Sequence, residues 1–320
     1  MFKGLLTKII RNDLAGVLFA TIFICLILIF FTNGFLTAYN LDSLIKDISI
    51  FTIVGMAQML TLSVGQFNLA VGAIGGCVGM IFGTLVELLC IPFWIAMIIS
   101  LAAGYILGYF QGFLIVKTKI NAFITTLALI NVYHGLNMTI TENRFFRNIP
   151  DSCKAIAKAN LGGVPILLIF VLIAMLIIWI LFNKTIVGRR ILATGVNVKA
   201  ADFAGINSGS AIRLAHGISG MLAGLAAILT ISKLGAAQTS IGTTWLLISF
   251  AAPILGGTLL SGGKVSIVGT FLGAALMTLI TNALVMFGVN SYWFQAFTGS
   301  ILLLAFAVNQ IRASKFGAQL

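Results

Sequence analysis

The chain alternates between long apolar runs and short polar breaks. Apolar stretches of about 18 residues or more recur from end to end, as in "VPILLIFVLIAMLIIWILF", and runs of that length predict transmembrane helices. In lipid only helices and closed barrels satisfy their backbone groups, and these runs lack the period-two alternation of barrel strands. The pattern predicts ten spans, at 14–31, 44–64, 68–88, 92–116, 121–140, 165–182, 212–231, 244–260, 266–287 and 293–310. The fold class that follows is all-α: one polytopic membrane domain over residues 1–320, with Gly-rich broken helices. The first run has a basic start but no clean small-x-small cleavage site after it, so it reads as a retained span.

Two longer polar stretches break the pattern. "TENRFFRNIPDSCKAIAKANLGG" (Thr141 to Gly163) mixes Pro, Asn, Gly and both charge signs, with "KAIAKA" suited to a helical turn on the membrane surface. The second runs from Asn183 to Arg213 and is basic. A Lys or Arg at the centre of a membrane helix costs roughly 2.5–3.5 kcal/mol, so this stretch stays in water. Within it lies "GVNVKAADFAGIN", small and mildly charged between segments made for lipid. Asn197 suits an N-cap, residues 198–204 a short helix, and Gly205 a stop just beyond. In that helix Ala201, Ala204 and Gly205 share a small face that another protein can approach, with Lys199 and Asp202 on a polar edge.

Composition agrees with the span pattern: 60% of residues are hydrophobic, 8% are charged and mean hydropathy is +1.14. The net charge of +12 is explained by topology. With both ends cytoplasmic, the inside carries Lys3, Lys8, Arg11, Lys117, Lys119, Lys184, Arg189, Arg190, Lys199, Arg213, Lys264, Arg312 and Lys315. The outside carries Lys46, Arg144, Arg147, Lys154, Lys158 and Lys233, an asymmetry of 13 to 6 that obeys the positive-inside rule. The basic excess therefore does not indicate nucleic acid. The four cysteines fit neither a zinc site nor a disulfide framework and read as small apolar fillers.

Glycine, with 34 residues, recurs at spacing four (Gly72/Gly76, Gly104/Gly108/Gly112, Gly220/Gly224, Gly269/Gly273), which fits close helix packing. Gly65, Gly256, Gly257, Gly262 and Gly263 stand instead at predicted helix breaks, beside Pro253. Broken helices at membrane depth line cavities. The segments "GMAQMLTLSVGQFNLAVGAIGGCVGMIFG" and "SFAAPILGGTLLSGGKVSIVGTFLGAALM" both run span, Gly-rich turn, small-residue span, an echo consistent with duplicated halves.

Catalytic equipment is thin. The two histidines, His134 and His216, belong to different spans, and no carboxylate pair shares one. "GGTLLSGGKVS" fails as a phosphate loop, because Thr258 and Val265 stand where G-x-x-x-x-G-K-[ST] needs Gly and Ser or Thr. Asp47 and Glu87 are the only acids near membrane depth, each at a span end, which argues against a proton relay. Sodium coupling stays open. If the chain is a transporter, its energy comes from another subunit; no enzymatic site and no cofactor of its own are expected. Uncharged polar residues do occur at depth, among them Gln58, Gln66, Asn68, Thr125, Thr126, Asn131 and Asn282. Interhelical bonding and a path for a neutral, hydroxyl-rich solute explain them equally well. Gln58, Gln66, Asn68, Asn131, His134, Gly256 and Gly257 are the candidate path residues.

"TGVNVKAADFAGIN", then "HGISGMLAGLAAIL" and "APILGGTLLSGGKVSIVGTFLGAALMTLITNAL", resemble the membrane permeases of carbohydrate ABC importers, in the ribose, xylose, arabinose, galactose and autoinducer-2 branch. The resemblance implies a multi-pass protein of the bacterial cytoplasmic (inner) membrane. It also implies a second permease, identical or paralogous, an ABC ATPase that hydrolyses ATP on the cytoplasmic side, and an extracytoplasmic solute-binding protein. Gly195, Asn197, Ala200, Ala201, Gly205 and Ile206 match the family's coupling-helix pattern, which would seat in the ATPase with Lys199, Asp202 and Ala204 alongside. Departures fall elsewhere. "GQFNLAVG" stands for "GIDLSVG", so Asn68 replaces an acid; Leu246 and Ile248 stand where acids are frequent, and His134 where Arg is common. These changes leave room for a nucleoside, vitamin or other neutral solute in place of a sugar.

Overall fold

The computed structural model describes residues 13–32, 34–290, 293–301 and 303. Its elements are almost entirely helical. In chain order they are α1 (Asp13–Phe31), α2 (Ala38–Ser63), α3 (Val71–Gly83, continued by a π-helical turn Thr84–Leu88), α4 (Phe93–Thr118), α5 (Ala122–Thr141), α6 (Asp151–Lys158), α7 (Ile166–Lys184), α8 (Ile186–Val196), α9 (Val198–Phe203), α10 (Ser208–Leu234), α11 (Trp245–Leu255) and α12 (Ile267–Met286). A two-residue antiparallel hairpin, Asn160–Leu161 with Val164–Pro165, joins α6 to α7. Positions 294–301 are helical as well.

Eight of the described helices are long and apolar enough to cross a membrane. The eighth predicted span, 244–260, is shorter than expected. Apolar residues continue past Leu255, but Pro253 and the left-handed Gly257 (φ +86°) end α11 after 11 residues. The tenth predicted span continues outside the described residues. Other boundaries follow caps: Thr37, Asn121, Thr185, Asn197, Asn207 and Ser266 each accept a backbone N–H at a helix start. The Thr37 cap starts α2 six residues before the predicted span, and the Asn207 cap starts α10 four residues before its own.

Burial separates the centre from the rim. In α2 and α10, 72% of the most apolar window is buried, against 11% in α1 and 22% in α5. The rim helices therefore turn apolar faces outward, as lipid contact requires. Helices α4 and α10 cross where glycines remove the side chains between them. A Cβ on Gly108 would lie 2.1 Å from the His216 carbonyl oxygen, and one on Gly104 2.6 Å from that of Gly220. The predicted spacing-four glycines thus serve packing.

One end of the bundle holds the α2–α3, α4–α5 and α11–α12 turns with α8 and α9, and the other holds α6 and the hairpin. The α10–α11 loop runs from the α6 end along α3 as far as its start, where a Cβ on Gly72 would lie 2.1 Å from the Gly242 carbonyl oxygen. Ion pairs Asp42–Lys46 and Asp47–Lys233 lie at the α6 end, with reciprocal bonds between the Asn40 and Asn282 amides.

Candidate functional site

At the α9 end the chain departs from helix twice, at Gly65–Ala70 and at Gly256–Ser266, where freed backbone groups need partners. The first turn is tied down by three helices, α2, α5 and α10. With its amide nitrogen turned toward the Asn68 carbonyl, Gln58 on α2 donates to Asn68 O at 2.7 Å and accepts from Asn68 N at 3.2 Å. The Asn68 side chain accepts from Ala70 N at 3.0 Å and donates to Ser219 Oγ on α10 at 3.4 Å. Leu69 N donates to Thr126 Oγ1 on α5 at 3.1 Å. Gln66 Oε1 accepts from His216 Nε2 on α10 at 2.8 Å, and Gln111 Nε2 on α4 donates to His216 Nδ1 at 2.8 Å. With the two amides in this orientation, the imidazole proton sits on Nε2.

Gln58, Gln66 and Asn68 are thus brought together, and Gln58 and Asn68 are wholly buried. Their amides bond to their own chain, which is the interhelical role. Gln66 also lines a cavity of about 540 Å³ with Phe67, Lys119, Asn121, Val198 and Ser208, so this cavity borders α9. Asn131 and His134 lie apart, on α5: Asn131 is exposed and His134 half-buried. Gly256 serves packing, since a Cβ there would lie 2.2 Å from the Gly269 carbonyl carbon. Gly257 forms the left-handed turn after α11. Asn282 pairs with Asn40.

The short helix in "GVNVKAADFAGIN" is present as α9. Asn197 Oδ1 accepts from Ala200 N at 3.0 Å, and the end closes through Ile206 N to Ala201 O at 2.9 Å, with Gly205 left-handed at φ +78°. The expected partner face needs correction. Ala201 is only 4% exposed and turned into the protein, because the small side chain lets α9 lie on its own scaffold. Asp202 accepts from Ser208 N at 3.2 Å, helping to start α10. The outward surface consists of Val198, Lys199, Ala200, Asp202, Phe203, Ala204 and Gly205, with Ile206 half-buried, and Phe203 is 92% exposed. Gly195 is buried behind it.

Phe203, Gln111 and His216 were missed in the sequence. A lone Phe in a loop of small residues was the available signal for the first. For the pair there was none, because spacing does not reveal which polar residues on different helices meet.

At the α6 end a second cavity, of about 420 Å³, is lined by Tyr39, Asp42, Lys46, Lys154, Lys158 and Lys233. Lys233 bonds Asp47 at 2.7 Å and Ser43 Oγ at 3.3 Å. No group of His, Cys, Asp and Glu suited to a metal ion occurs among the described residues.

A broken, Gly-rich helical core beside an exposed surface helix is an arrangement for moving a solute, and comparison with known proteins agrees. The family model described as "Branched-chain amino acid transport system / permease component" matches residues 40–306. The chain belongs to this permease family. Among relatives, the permease is 30% identical over 299 residues to a ribose import permease protein of Bacillus subtilis (strain 168), covering 92% of each chain. It is 30% identical to the D-allose transport system permease protein of Escherichia coli (strain K12), covering 87% of this chain and 85% of the relative. A galactose/methyl galactoside import permease protein of the same strain is 25% identical, covering 94% and 95%. The family description names amino acids, whereas these relatives are named for sugars. No solved structure matches the permease.

Proposed function

We propose that this permease forms the translocation path of a bacterial ABC importer for a carbohydrate and is driven by a separate ATPase seated on α9. The observation that carries the seat is Phe203, a large apolar side chain almost fully exposed on a helix of six residues. A six-residue helix is not stable by itself, and exposing an aromatic ring in water forgoes about 2–3 kcal/mol that burial against a partner restores. Val198, Lys199 and Ala200 flank it, while Ala201 and the Asn197 cap hold α9 on its scaffold.

The α9 end then faces the cytoplasm, both termini lie there, and the protein sits in the inner membrane. The α6 end faces outward, where the lysine-lined cavity offers a cationic seat to the solute-binding protein. A second permease, identical or paralogous, would meet this one so that Asn131 and His134 on α5 border the path. The Gln58–Gln66–Asn68 turn and the Gly256–Gly257 break would form the wall behind it. Sugar as the cargo is supported by the names of the relatives, with D-ribose the first solute to try.

The test is to isolate the permease from native membranes in mild detergent, identify its companions and reconstitute the assembly. Recovery of an ABC ATPase, with ATP-dependent D-ribose uptake, is the expected outcome. Recovery of the permease alone, active in vesicles without ATP, would overturn the reading.

A further inference from the structure

The base of α9 touches both broken-helix turns with no side chain between them. Gly195 sits at the end of α8, three residues before α9 begins, and is buried. A Cβ there would lie 1.9 Å from the carbonyl oxygen of Ser63, the last residue of α2, and 2.6 Å from Gly263 N. Gly263 N donates to that same Ser63 oxygen at 3.0 Å. A Cβ on Gly262, at φ +92°, would lie 2.7 Å from both the Gly195 oxygen and Gly65 N. Three segments meet here main chain to main chain: the end of α2, the α11–α12 turn and the approach to α9.

Contact of this kind behaves differently from side-chain packing. Side chains change rotamer and let two helices slide. Peptide units in van der Waals contact have no such freedom, and close-packed interiors transmit displacement. The α2 end at this meeting point leads directly into the Gln66–Asn68 turn, which is bonded in turn to α10 through His216 and Ser219.

We propose that Gly195 is a positioning residue for transport: it is the fixed point through which a displacement of α9 moves the α2–α3 and α11–α12 turns together. This rests on the reading of α9 as the ATPase seat. A side chain at position 195 separates the three segments, leaving the ATPase docked and active but disconnected from the turns.

The experiment uses the full permease–ATPase assembly in a background where Cys25, Cys77, Cys90 and Cys153 are replaced by Ser. Phe67→Cys, in the cavity beside α9, is labelled with a maleimide, with and without ATP and vanadate. This readout needs no knowledge of the solute. The parent assembly is expected to change its labelling rate about tenfold on trapping, within the usual range of coupling between sites. Gly195→Ala is expected to retain the ATPase and hydrolyse ATP while losing that change.

Gly188→Ala is the packing control, on the same helix. Its Cβ would lie 2.0 Å from the Leu181 carbonyl oxygen, away from the meeting point. It is expected to lower thermal stability and keep the labelling response. If Gly195→Ala does not accumulate, Gly263→Asn decides, because asparagine tolerates the left-handed backbone there (φ +78°) and its Cβ would meet mainly the Val196 side chain, at 2.4 Å. That variant is expected to weaken the response, and Val196→Ala added to it to restore it. A full response in Gly195→Ala, an equal loss in Gly188→Ala, or no rescue by Val196→Ala overturns the proposal. Absence of any ATPase from the parent assembly would instead refute the reading on which it rests.

Discussion

At the α9 end, helix α2 meets its neighbours backbone to backbone, whereas at the α6 end the same helix is held by side chains. There Asn40 exchanges bonds with Asn282, and Asp47 holds Lys233. The first kind of contact admits no rearrangement short of moving whole segments. The second can break and re-form at modest cost, since each polar contact is worth about 1 kcal/mol net. A helix stiffly joined at one end and adjustably joined at the other suits the proposed drive from a partner seated on α9.

The contrast can be broken most visibly by access. Cys90 is exposed and Cys153 fully buried, both at the α6 end. Burial also pushes the Cys153 thiol pKa up, partly offset by the Ser152 hydrogen bond and the Lys154 charge, which reduces its thiolate. A membrane-impermeant maleimide applied to intact cells should label Cys90 and spare Cys153; labelling of Cys90 only in inverted vesicles would reverse the orientation. Next in size is Phe203→Asp, which should lower ATPase recovery by about 30-fold or more, the equivalent of about 2 kcal/mol at an interface anchor. Its melting temperature should stay that of the parent, and a matching fall in both would make Phe203 a folding residue.

Within the buried centre, His216→Leu leaves the Gln66 and Gln111 amides without their shared partner, and should cost about 1–3 kcal/mol in detergent unfolding. Asn282→Ala, at the α6 end, should cost about 1 kcal/mol. Equal effects would erase the distinction between a fixed centre and an adjustable end. The smallest change is expected from Asp47→Asn. Asp47 and Lys233 have side chains 36% and 23% exposed, so solvent screening holds the loss below about 1 kcal/mol. Added salt should shrink it further, and a large, salt-insensitive loss would show that the pair is structural.

Much of this was legible along the chain, because membrane helices announce themselves by apolar length and their breaks by Gly and Pro. The α9 helix could be read from Asn197 and Gly205, since capping is local. Its facing could not. Ala201 looks like a surface for a partner in sequence, yet it is the residue that lets α9 rest on its own scaffold. The shortness of α11 was half visible: Pro253 and Gly257 were there to see, but the apolar residues past them argued for a full span. Gln58 and Asn68 show the remaining limit. Their polarity marked them, but whether an amide at depth serves the solute or the fold depends on which backbone lies opposite, as the Asn68 peptide does for Gln58.

The most direct test of α9 as the seat of a partner is photo-crosslinking in native membranes from positions 203 and 161, each carrying a photoreactive phenylalanine analogue; Leu161, in the hairpin at the α6 end, is 67% exposed. Position 203 should give one dominant adduct with an ABC ATPase subunit, and position 161, at the opposite end, should give none. Adducts from 203 only to lipid or to the permease itself, or equal ATPase adducts from both positions, would contradict the account.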